Sequence, residues 1–187
     1  NNIAQSIFEQ MARERHPVPA WIVVGAGTGG TSATIGRYLR YQRHATRLAV
    51  ADPEGSVFAA YHRSGDASLT APGSRIEGIG RPRVEPSFIP TLIDRMLEVP
   101  NADSVAGMRL LSQALGRKVG PSTGTNFVAM LQLAHEMRQR GEAGAVLSLL
   151  CDNGDRYLAT YHDAAWVAAE FGDCGDAARR LDTLIGD

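Results

Sequence analysis

Lysine is nearly missing from this chain. Of its nineteen basic residues only Lys118 is a lysine, and the rest are arginine. The arginine excess reads as coding bias, but any chemistry that needs a lysine amine has one candidate here. Cysteine is also scarce. Cys151 and Cys174 cannot build a disulfide framework and suit a reducing cytoplasm. Neither charge sign dominates: nineteen basic residues against twenty acidic give -1, which supplies no electrostatic case for nucleic acid or an anionic membrane. Apolar runs such as Trp21-Ile22-Val23-Val24 are far too short to span a bilayer. The five histidines fall at no metal-ligand spacing with either cysteine, so no metal site is expected. Disorder is excluded by a hydrophobic content of 44%, close to the globular norm.

What is present follows an α/β order. Ile3, Ile7, Phe8 and Met11 recur at helical spacing, so the chain opens inside a packed amphipathic helix and reads as a piece of something longer. Residues 21–24 form a buried strand, followed by the turn Gly25-Ala26-Gly27-Thr28-Gly29-Gly30-Thr31 and a helix from about Ser32 to Gln42. Residues 47–51 make the next strand, completing a βαβ unit, which requires a parallel sheet. Residues 56–90 hold eight prolines and glycines and read as one long irregular segment of functional kind. Helical spacing resumes over 88–96 and again through Val105, Met108, Leu111 and Leu115. Lys118-Val119-Gly120 is a very short strand candidate, residues 121–126 turn into a further helix, and 146–151 is a third strand. The last thirty residues read as helical and peripheral. The expected fold is a three-layer αβα unit with a mainly parallel sheet.

Gly25, Gly27 and Gly30 satisfy GxGxxG between a strand and a helix, and Asp52 ends the next strand where a ribose-binding carboxylate would stand. A dinucleotide turn is therefore one reading, and a tight turn without ligand is another. Glycines admit an anion to the backbone, and free N–H groups at the helix start donate to it. Thr28 and Thr31 add hydroxyls beside those amides, which favours a phosphate monoester over a pyrophosphate. A nicotinamide enzyme gives no account of the second glycine turn, Gly120 to Gly124.

VGAGTGGTSATIGRYLR resembles the cofactor phosphate loop of the cysteine synthase and cystathionine β-synthase family, fold-type II pyridoxal-phosphate enzymes of tryptophan synthase β-like architecture. LAVADPEGS, RIEGIG with SFIP and RM, VGPSTGTN and LLCDNGDRYL resemble further family segments in the family's order, over residues 21–158. The resemblance implies pyridoxal 5'-phosphate as cofactor, held through Gly27, Thr28, Gly29, Gly30 and Thr31, with Ser122 against the pyridine nitrogen and Gly78 and Gly80 on the substrate side. A serine there leaves the ring a weaker electron sink than an aspartate would. The implied reaction is β-elimination or β-replacement on a cysteine- or O-acetylserine-like amino acid, of the cysteine synthase or cysteine desulfhydrase type. The implied setting is a cytoplasmic homodimer acting on a small amino-acid substrate, without nucleic acid or membrane.

The lysine that holds the cofactor's aldehyde belongs to an N-terminal region that this chain does not match, and Lys118 lies outside that motif. The expectation is a cofactor-binding large domain over 1–160, a helical extension over 161–187, and an isolated chain without activity. It also places an open cofactor face with exposed apolar residues from 56–90. Arg81 to Pro86 lengthens the usual spacing, which leans the reading toward a cysteine-consuming member, and Arg81 and Arg83 read as a solvated loop that could attract an anion. Two alternatives stand beside this: an NAD(P)-dependent oxidoreductase using the Rossmann turn, and a non-catalytic fragment that binds a phosphate ligand or a partner chain.

Overall fold

The computed structural model describes residues 3–186, so Asn1, Asn2 and Asp187, at the ends of the two expected units, lie outside the described residues. A run of apolar residues at period two makes each central strand hydrophobic on both sides, and such strands are stable only between two helical layers. That is the arrangement found. Strands β1 (Trp21–Gly25), β2 (Arg47–Pro53), β3 (Arg95–Val99) and β4 (Val146–Ser148) form one sheet in the order β3-β2-β1-β4. Every pairing is parallel, with Ile22 opposite both Leu48 and Leu147.

The pleat sorts the core by parity. Ile22, Val24, Leu48 and Val50 face helices α1 (Ile3–Met11), α2 (Gly30–Gln42) and α3 (Phe58–Ser64). Trp21, Val23, Ala49 and Ala51 face α4 (Asn101–Leu115), α5 (Pro121–Gln139) and α7 (Gly175–Gly186). A third cluster joins Ile76, Ile79, Val105, Met108 and Val119 to Tyr157, Tyr161 and Val167, the last from α6 (Ala164–Phe171). The residues after 160 thus contribute buried side chains to two of three cores, among them Leu181 and Tyr161.

Four local expectations are corrected. Residues 88–96 are not a helix: a single 3-10 turn at Pro90–Leu92 leads into β3. Pro86 and Pro90 prevent a continuous helix, and Met96 and Leu97 point to opposite cores as strand neighbours must. The third predicted strand stops at Ser148, because the three residues after it leave the sheet. Lys118-Val119-Gly120 supplies only an isolated antiparallel bridge, Val119 with Asn153. Residues 56–90 contain helix α3 and then return over the sheet's C-terminal edge, where Val57 N–H donates to Arg81 O and Gly80 N–H to Ala26 O, at 2.9 and 2.8 Å.

Candidate active site

β1 leads to β2 on one side while its other neighbour is β4, so the chain departs in different directions from two adjacent strand ends. Ligands of open parallel sheets bind at such a divergence. A cavity of about 550 Å³ opens there. Its lining comes from the β1–α2 turn, the first turns of α5, the chain after β4 and the 78–81 segment, with Ile3 and Leu150 at its rim.

The turn end of the cavity is built of donors. α2 starts after Gly29, which lies in the left-handed region (φ 86), and no side chain caps the helix. Ala33 N–H is the first amide bonded back into the turn, to Gly29 O, which leaves the N–H groups of residues 30–32 free in the manner of any helix start. Thr28 and Thr31 are exposed around them, and the first turn of α2 carries no acid. Among the described residues Arg81 is the only cation in the lining, and it packs beside Gly27. This donor set fits a phosphate dianion. The glycines themselves have a second reason to be there. A Cβ on Gly29 would stand 2.5 Å from Phe88 Cα, and one on Gly27 would stand 2.5 Å from Gly78 O.

The far end is neutral. Ser122 and Asn126 lie one turn apart on α5, hence on one face, and both are buried yet line the cavity. Asn126 Nδ2 donates to Cys151 Sγ at 3.4 Å, while Asn126 Oδ1 is buried without a partner. Cys151 N–H donates to Thr123 Oγ1 at 2.9 Å, which brings the thiol against α5. Burial pushes that thiol up from its ordinary value, outweighing the hydrogen bonds from Ser122, Thr123 and Asn126 that lower it. Asp152, the only acid in the lining, accepts from Tyr157 Oη at 2.5 Å, and Tyr157 is held well above the usual phenol range by burial and by that hydrogen bond. A heteroaromatic nitrogen placed here meets a hydroxyl, an amide and a thiol rather than a free carboxylate.

Of the residues singled out from sequence, Gly27, Thr28, Gly29, Gly30, Thr31, Gly78 and Ser122 line this one cavity. Gly80 does not. It sits behind the lining with φ 71, where a Cβ would meet Ser74 and Pro53. Asp52 is 2% exposed, outside the lining, and accepts from Ala59 N–H at 2.8 Å as the anchor of α3. It therefore presents no carboxylate to a ribose. Lys118 is exposed on a neighbouring surface groove beside Arg117 and does not reach the lining. The second glycine turn has a packing explanation: a Cβ on Gly124 would stand 2.1 Å from Ser104 O across the α4–α5 contact. Among the described residues no large apolar side chain of 56–90 is fully exposed: Ile76, Ile79 and Phe88 are buried, Leu69, Val84 and Ile89 are half-buried, and the exposed apolar rim of the cavity is Leu150 and Ile3. Among the described residues no three His, Cys, Asp or Glu side chains cluster as metal ligands, and no helix is long and apolar enough to cross a membrane. Asn126 and Cys151 were not singled out as site residues from sequence. Their only signal was the i, i+4 spacing of Asn126 from Ser122, since nothing local brings Cys151 to α5.

An open parallel α/β sheet whose strand ends present an uncapped helix and a neutral polar wall defines a phosphate-cofactor domain. The chain belongs to the pyridoxal-phosphate dependent enzyme family, whose model matches residues 1–152. It is 59% identical over 171 residues to the L-cysteine desulfhydrase Cds1 of Mycobacterium tuberculosis, covering 91% of this chain and 46% of that protein. It is 33% identical to cysteine synthase 2 of Neurospora crassa over 153 residues, which is 74% of this chain and 33% of the relative. The crystal structure of an O-acetylserine dependent cystathionine β-synthase from Helicobacter pylori superposes with a TM-score of 0.66 at 31% identity, over 84% of this chain and 47% of that one. An O-acetyl serine sulfhydrylase isoform 3 from Entamoeba histolytica shares the fold, with a TM-score of 0.74 at 22% identity over 97% of this chain and 48% of the other. The chain spans about half the length of these proteins or less. With the family given, the oxidoreductase reading loses its support, because its ribose carboxylate is buried under α3.

Proposed function

We propose that this chain is the cofactor-binding part of an enzyme that uses pyridoxal 5'-phosphate for β-elimination or β-replacement on a cysteine-like amino acid. The observation that carries the reading is the pairing, across one cavity, of an uncapped donor-rich helix start with a neutral Ser122. The cofactor supplies an aldehyde and an electron-withdrawing ring that together make the substrate's Cα proton acidic. The chain's residues do the rest by position. The free amides of residues 30–32, with Thr28 and Thr31, hold the phosphate, and Arg81 adds charge to that end. Ser122 would offer a neutral hydroxyl to the ring nitrogen, one that cannot hold a proton there as a carboxylate would, and this would suit chemistry at the substrate's β-carbon. Gly78 lies on the substrate side, and Gly80 keeps the backbone behind it in place. The amine that holds the aldehyde and moves the Cα proton is proposed to come from chain outside these residues.

A cysteine-consuming reaction is favoured by the 59% identity to a cysteine desulfhydrase, and it converts L-cysteine and water to pyruvate, ammonia and hydrogen sulfide. Synthesis of cysteine from O-acetylserine and sulfide is the second reading, favoured by the relatives that are cysteine synthases. The proposal keeps a large domain over 1–160 with a helical extension to 187, a homodimer and a cytoplasmic setting. Its test is the full-length protein loaded with cofactor. Sulfide and pyruvate released in equal amounts from L-cysteine support it, and cysteine formed from O-acetylserine and sulfide shifts it to the second reading. Failure of both reactions, in a protein that absorbs as a bound pyridoxal chromophore, removes the substrate assignment.

A further inference from the structure

The turn that carries Gly78 to the cavity is secured from a distant part of the chain. Gly78 has φ 91 and open space on its Cβ side, while its carbonyl packs against Gly27 of the phosphate loop. On one side the turn is tied to the phosphate loop by Gly80 N–H donating to Ala26 O. On the other side Ile76 is buried in the third core with its N–H on Ser74 Oγ at 2.8 Å, and the phenol of Tyr161 bonds the backbone on both sides of it. Tyr161 Oη donates to Arg75 O at 2.7 Å and accepts from Glu77 N–H at 3.1 Å. The Tyr161 ring is buried among Tyr157, Trp166 and Phe171, with centroids 5.6, 4.9 and 6.0 Å away, so the hydroxyl has little freedom. Arg156 reinforces the link by donating to Glu77 Oε1 at 3.0 Å, although that pair is exposed and weak. Burial holds Tyr161 above the usual phenol value, so it remains a donor across the neutral range.

We infer that Tyr161, beyond the segment matched by the family model, is a positioning residue that fixes the substrate-side turn at residues 75–80 and so sets the affinity for the amino acid. This rests on the reading of the cavity as the cofactor and amino-acid site. An amide whose acceptor is removed must find water, and a glycine turn with open space on one side then samples more conformations. Cofactor binding should be untouched, because the phosphate end is held by α2.

The test uses the full-length, cofactor-loaded protein with Tyr161→Phe, and Val167→Ala as a control that loosens the same cluster without removing a hydrogen bond to the turn. Tyr161→Phe is expected to raise KM for L-cysteine about tenfold, with kcat and cofactor affinity little changed. Amide exchange over residues 74–80 should quicken. Val167→Ala should lower Tm and leave KM alone. An unchanged KM in Tyr161→Phe, or an equal rise in Val167→Ala, overturns the inference. If the wild-type protein turns over neither cysteine nor O-acetylserine, the functional reading has failed, and exchange alone then decides the positioning claim. Faster exchange at 74–80 in Tyr161→Phe sustains it, and unchanged exchange ends it.

Discussion

Asp52 is a carboxylate kept where water barely reaches, and burial pushes its pKa from 3.8 to about 6 despite hydrogen bonds from Ser56 and Ala59. A carboxyl whose folded pKa is raised favours the fold in its protonated form. Its contribution is complete below pH 3.8 and is lost as pH rises through about 6, a swing of about 3 kcal/mol. Asp52→Asn is therefore expected to raise Tm at pH 7 and to lose that advantage near pH 4. Thermal melts across this range check it, and a variant less stable than wild type at pH 7 would show that the charge does more than anchor α3. At the turn, Gly29 and Thr31 separate packing from binding. Gly29→Val should destabilise the unloaded protein, because its side chain enters Phe88. Thr31→Val removes only an exposed hydroxyl. It should leave the unloaded Tm in place and weaken pyridoxal phosphate binding about tenfold, read by titration.

Among the elements, α4 and α5 make the tightest contact. Gly124 faces Ser104 O and Met108, while Gly107 faces Val128 and Gly124 O, so two helix backbones touch where side chains would normally intervene. Thr125 Oγ1 donates to Ser104 Oγ at 2.9 Å across the same contact. The contact presses the start of α5, and with it Ser122, against the sheet edge. Gly124→Ala is expected to cost about 1–3 kcal/mol by overpacking, visible as a lower midpoint in urea. It should also weaken cofactor binding, because Ser122 and Asn126 would shift together. β3 is tolerated as a polar strand because it is an edge. Arg95 reaches Glu136 of α5 through two hydrogen bonds at 2.5 and 2.7 Å, and that bonding holds Glu136 below its usual range.

Over the whole molecule, the C-terminal helices close both the second core and the third. Arg180 of α7 donates through Nε and Nη2 to the two carboxylate oxygens of Asp103 of α4, whose side chain is 8% exposed. Arg180→Ala leaves that buried carboxylate without its cation. The expected loss is about 1–2 kcal/mol, less than for a fully buried pair because half of the arginine faces water. A double-mutant cycle with Asp103→Ala measures the coupling, and additive effects would show that the ion pair adds nothing to the packing of Ala177 and Leu181.

The β1–α2–β2 unit, the parallel sheet, the glycine turn opening α2 and the second turn that sets Ser122 at the start of α5 were legible in the sequence, because each rests on local signals: apolar runs, glycine spacing and a turn opening a helix. Short mixed segments were not legible. Residues 88–99 carry apolar spacing compatible with either period, and only pairing with β2 makes the last five a strand. Tertiary structure alone decided which chemistry-bearing residues meet. Asp52 stands at the right sequence distance for a ligand, yet the return of α3 buries it. Cys151 reaches the cavity because the chain leaves the sheet after Ser148, and Tyr161 reaches the turn at residues 75–80 across more than eighty residues. Hydrogen bonds of that span have no periodicity to announce them, because they are set by where the packed layers bring the chain back together.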